Sequence, residues 1–65
     1  MKISFDPLWK TLIDKKLTKM EFASTVGLSK STLAKLGKNE YVSLEVIERI
    51  CTKLEAPIYD VVEIK

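Results

Sequence analysis

The chain contains no histidine, and its one cysteine, Cys51, has no partner within the sequence. An internal disulfide is therefore excluded, and the cysteine and histidine ligand pairs on which stapling zinc sites rest are missing. Histidine is also the side chain that most often moves protons near neutral pH, and the two glycines form no phosphate-cradling loop. The acidic residues are spread over polar helix positions rather than paired, so enzymatic chemistry is the poorest class for this sequence. No cofactor, metal or small-molecule ligand is expected. The longest apolar runs span only a few residues, and the Met1 end has neither a signal-like apolar stretch nor a cleavage pattern. A soluble, cytoplasmic protein without membrane association is expected.

What is present suits one domain spanning residues 1–65. A chain of this length buries only about 60% of the surface its unfolded form exposes, so local devices or a second subunit matter for stability. The formal charge of +2 hides an uneven distribution. Residues 10–38 carry Lys10, Lys15, Lys16, Lys19, Lys30, Lys35 and Lys38 against Asp14 and Glu21, whereas residues 39–65 are net acidic. A lysine-rich half either solvates helix surfaces or faces an anion, and charge alone leaves both readings open.

Helix starts are written plainly. Asp6-Pro7 suits a first turn, with the Asp6 carboxylate accepting an orphan amide and Pro7 supplying a preset φ. Leu8, Trp9, Leu12 and Ile13 follow at one-turn spacing, which predicts a first helix to about Lys15 with these residues as its apolar stripe. Thr18 and Glu21 form a capping-box pattern, with Leu17 and Phe22 as the flanking hydrophobic staple. Ser29 between Leu28 and Leu33, and Ser43 between Val42 and Ile47, repeat the staple spacing. Gly27 supplies the left-handed backbone that ends the second helix near Val26, and only Leu28 separates it from the Ser29 cap. Two helices joined so briefly meet at a sharp angle. Gly37 is expected to end the third helix in the same way.

A fourth helix starts at Ser43, with Leu44, Ile47, Ile50, Cys51 and Leu54 on its apolar face, and Ala56-Pro57 stops it. Cys51 reads as a small buried hydrophobe rather than a redox sensor, and Trp9 as core rather than a stacking platform. Ile58–Val62 adds a further helical turn. Ile3 with Phe5, and Val62 with Ile64, alternate with period two, suggesting short terminal strands that pair within the chain or across a dimer. Tyr41 and Tyr59 suit either the open surface or an interface.

The third helix departs from a pure core element. Thr32, Leu33 and Leu36 turn inward, which leaves Lys30, Ser31, Ala34 and Lys35 on a basic, uncluttered face. A helix of this kind fits the DNA major groove, where lysine reaches guanine O6 and N7, serine meets either base type and alanine meets a thymine methyl.

Over LTKMEFASTVGLSKSTLAKLGKNEYVSLEVIERICTKL, residues 17–54, the chain resembles the Cro and repressor helix-turn-helix proteins, also called the XRE family. The features that carry the resemblance are Thr18, Glu21, Ala23, the turn Val26-Gly27-Leu28, Ser29, Leu33, Leu36 and the Ser43-Leu44-Glu45 start. The resemblance implies an all-α, compact five-helix lambda-repressor-like domain with its helix-turn-helix over about residues 18–37. It also implies a homodimer on a near-palindromic duplex, the second helix crossing the backbone and the third reading bases. Carried over residue by residue, base contacts fall on Lys30, Ser31 and Lys35, and phosphate contacts on Thr18, Lys19, Ser29, Thr32, Lys38 and Asn39. Lys19 stands where the family commonly has a phosphate-clamping glutamine. Gly37-Lys38-Asn39 departs from the family's glutamate, asparagine and glycine.

The expected function is thus a sequence-specific double-stranded DNA-binding transcriptional regulator, a repressor acting by occupancy. The alternative is a protein-interaction module with the same fold, such as an antirepressor.

Overall fold

The computed structural model describes residues 2–65. Four α-helices carry the chain between two short strands: β1 (Ile3–Ser4), α1 (Asp6–Asp14), α2 (Lys19–Val26), α3 (Lys30–Gly37), α4 (Leu44–Leu54), a 3₁₀ turn (Ile58–Asp60) and β2 (Glu63–Ile64). The expected fifth helix is this single turn. Pro57 fixes its entrance and β2 begins three residues after Asp60, so too little chain remains for a full α-helix.

The three side-chain caps fall where the sequence puts them. Thr18 Oγ1 accepts the Glu21 N–H at 3.1 Å while Glu21 Oε1 accepts the Thr18 N–H at 3.0 Å, closing a reciprocal box. Ser29 Oγ accepts from Thr32 N–H and Ser43 Oγ from Val46 N–H, each at 3.2 Å. The staple residues Leu17, Leu28 and Val42 pack half-buried against the core, which fixes the angle at which each segment enters its helix.

That core joins Phe5, Leu8, Leu12, Phe22, Val26, Leu36, Ile47, Ile50, Leu54 and Val61. It lies where α2 packs on α4 and where the 3₁₀ turn closes against both α1 and α4. Strands β1 and β2 pair antiparallel within the chain, with Ile3 opposite Ile64 and Ser4 opposite Glu63. A further rung links Lys2 and Lys65 by two backbone hydrogen bonds of 2.7 Å.

Several expectations are corrected by tertiary context. On α1 the buried face is Leu8, Thr11 and Leu12, while Ile13 is 74% exposed and Trp9 half-buried. Thr11 is drawn inward because its hydroxyl donates to the Asp60 carbonyl at 2.7 Å, which satisfies an otherwise costly buried polar group. Leu44 is 79% exposed because, at the first position of α4, it lies off the side by which Val46, Ile47, Ile50 and Leu54 meet the core. Asp6 caps nothing: Phe5 holds the N-cap position, and the Asp6 carboxylate instead accepts a 2.8 Å hydrogen bond from Lys65 Nζ. Gly37 is the last residue of α3 rather than its left-handed terminator, and the positive φ falls on Asn39, at 56°.

Candidate nucleic-acid interface

Gly27 adopts φ 82°, and its N–H and that of Leu28 both donate to the Ala23 carbonyl, at 2.8 and 2.9 Å. These bonds close the end of α2 and turn the chain at once into the Ser29 cap of α3. Leu36 anchors α3 with no exposed surface, and Thr32 and Leu33 are half-buried beside it. Lys30, Ser31, Ala34 and Lys35 are consequently held outward, exposed, as one face.

The charge on that face is unneutralised. Among the described residues the ion pairs are Arg49 with Glu45, and Lys65 with Asp6 and Glu63, so no carboxylate stands within 4.0 Å of Lys30, Lys35 or Lys38. Lys35 and Lys38 border an open cleft of about 900 Å³ between the end of α3 and the terminal strands, together with Lys2, Asn39 and Tyr41.

The remaining candidates are held in different ways. Ser29 Oγ donates to Thr32 Oγ1 at 3.0 Å and also stands 3.1 Å from Ser31 Oγ, besides capping the Thr32 amide. Its hydroxyl is fully engaged, whereas Ser31 keeps acceptor capacity facing outward. Thr18 uses its oxygen in the capping box and keeps its proton to donate. Asn39 Oδ1 accepts the Phe5 N–H at 2.9 Å, which leaves its amide protons available. Lys19, at the start of α2, sits with its Nζ 4.6 Å from the centroid of the Trp9 ring.

Thus Lys35, Lys38 and Asn39 share one cleft and Ser29, Ser31 and Thr32 one hydrogen-bonded cluster. Thr18 and Lys19 stand apart from both, beside Trp9. Sequence reasoning missed the Trp9–Lys19 stack, the Asn39–Phe5 link and the place of Lys2 at the cleft, all of which join distant parts of the chain. Burial pushes the Cys51 thiol above its ordinary value, which keeps it protonated and poorly nucleophilic. Among the described residues no group of acidic or cysteine side chains is arranged to hold a metal ion, and no helix is long and apolar enough to cross a membrane.

Residues 7–65 match the Cro/C1-type helix-turn-helix DNA-binding domain. The chain belongs to that family. In this Cro/C1-type domain the exposed cationic face lies on α3, the helix that follows the Gly27 turn. The crystal structure of the transcriptional regulator VanUg, form II, is similar at 50% sequence identity with a TM-score of 0.92. The likeness covers 95% of this chain and 83% of that one. The curated proteins compared contain no match.

Proposed function

We propose that this Cro/C1-type protein is a sequence-specific transcriptional regulator that binds double-stranded DNA as a homodimer and represses by occupying its operator. The observation that carries the reading is the α3 face, where lysines unpaired with any described carboxylate project from a helix anchored by Leu36. Lys30 and Lys35 reach guanine edges in the major groove and Ser31 serves as an adaptable partner. Thr18, Lys19, Thr32, Lys38 and Asn39 hold phosphates and fix the register, and Ser29 acts there chiefly by ordering the α3 start. Tyr41 and Leu44, 81% and 79% exposed just beyond α3, support a second copy as partner on that side.

Occupancy is the economical mechanism for such a surface, since a protein clamped on a duplex segment excludes others from it. The similarity to a transcriptional regulator supports the same direction.

Selection of bound duplexes from a random library, followed by mobility shifts over a salt series, tests the proposal. An inverted repeat should emerge, and log K should fall with log salt at a slope of about −7 if each protomer of a dimer neutralises about four phosphates. Equal affinity for scrambled duplexes, or binding indifferent to salt, would overturn it. Absence of any shift at low salt would point instead to a protein partner.

A further inference from the structure

We propose that Trp9 is a positioning residue for the phosphate contact of Lys19: its ring holds the Lys19 ammonium ready at the start of α2 before a duplex arrives. The inference rests on the DNA-binding reading above and deepens it.

Lys19 follows the Thr18 cap directly and is exposed, and its Nζ lies 4.6 Å from the Trp9 centroid. Trp9 is half-buried, packed against the core on one side, so the surface it offers is fixed by α1. A lysine carries four rotatable side-chain bonds, and ordering such a side chain on binding lowers affinity by a factor of about two to ten. The indole removes that loss in advance.

The choice of partner matters as much as the ordering. A carboxylate would also hold an ammonium, as Asp6 holds Lys65, but it would cancel the charge that attracts phosphate. An aromatic face attracts a cation through its quadrupole and leaves the full positive charge available. The platform on α1 thus supplies order to a charge at the start of α2 without neutralising it.

The test uses purified full-length protein and a short mixed-sequence DNA duplex at about 0.1 M salt, because phosphate contacts are read without an operator. Lys19→Gln should weaken binding about eightfold and reduce the salt slope by about one for each bound protomer. Trp9→Leu should weaken it by a factor of about two to ten while keeping the slope, because the charge remains and only its ordering is lost. The double variant should bind no more weakly than Lys19→Gln alone. Trp9 is the sole tryptophan, so its emission reports directly: DNA should change it in the native protein and not in Lys19→Gln. Losses that multiply in the double variant, or native binding by a folded Trp9→Leu, would overturn the proposal. Should Trp9→Leu fail to fold, an emission change on DNA binding that Lys19→Gln leaves intact would overturn it by itself. If the native protein binds no duplex, the DNA reading falls and this inference with it, whereas native binding untouched by Lys19→Gln removes this inference alone.

Discussion

Asn39 Oδ1 accepts the backbone N–H of Phe5 at 2.9 Å, across 34 positions of sequence. One side chain thereby ties the loop after α3 to the N-terminal strand. The bond satisfies the amide of a residue with no exposed surface, and it holds Asn39 at φ 56°, a backbone conformation that asparagine tolerates better than most residues.

Replacing Asn39 separates these two roles. Asn39→Gly keeps the backbone conformation and loses the bond, at a cost of about 1–2 kcal/mol with the added freedom of the unfolded glycine. Asn39→Ala loses the bond and strains φ as well, for a total of about 2–3 kcal/mol. Urea unfolding ranks the two, and equal stabilities would show that the left-handed backbone at this position costs alanine no more than the freedom glycine gains in the unfolded chain.

How far such links are legible in a sequence depends on their reach. The Thr18, Ser29 and Ser43 caps and the Gly27 turn involve residues within one helical turn, and every one stands where its neighbours predict it. The outward set Lys30, Ser31, Ala34 and Lys35 follows from the same short-range periodicity. Ile13 and Leu44 stand exposed, against expectation, because periodicity gives the phase of a stripe but not where the neighbouring elements end. Asp6 went to Lys65 instead of a cap because the far terminus lies beside it, 59 positions away in sequence. Trp9 looked like core, and its half-buried ring shows the second role only once α2 is placed across from it.

Base-reading and phosphate-holding lysines are distinguishable by the form of the loss. Lys35→Ala should relax discrimination at one base position of the selected operator, by about 1–3 kcal/mol. Lys38→Ala should weaken all duplexes alike and lower the salt slope by about one. Competition binding with single-base operator variants makes the comparison. A uniform loss for Lys35→Ala would move that residue to the phosphate group.

Glu55 ends α4 in the left-handed region, at φ 53°, and its side chain is exposed with no ion pair among the described residues. Its Cβ opposes that conformation by about 1 kcal/mol, and glycine does not. Glu55→Gly should raise the melting temperature by less than about 4–8 °C, the shift that 1 kcal/mol produces in a domain of this size, because the glycine's unfolded freedom takes back part of the relief. An unchanged or lowered value in calorimetry would mean that the glycine's extra unfolded freedom offsets the relief.

The Lys65 ammonium that donates to Asp6 at 2.8 Å holds the Asp6 carboxyl below the usual carboxylate range, through the hydrogen bond first and the charge second. A carboxyl depressed in the folded state stabilises it fully above the unfolded value of about 3.9, and that contribution is lost as pH falls through the lower folded value. Lys65 is raised by the same partner, so its contribution is present below the ordinary lysine range and lost as pH rises through the raised value. The pair therefore supports closure of the terminal strands across the neutral range and fails at either extreme. Both groups are exposed, so the effect is small and screened by salt. Asp6→Asn should flatten the fall in melting temperature below about pH 4 at low ionic strength. Lys65→Met should do the same, and both variants should lose most of the fall on the alkaline side, since Asp6 is the main cause of the raised Lys65. In 1 M salt the native protein and both variants should converge, and a difference that survives there would assign the stabilisation to packing of the terminal ribbon instead of charge.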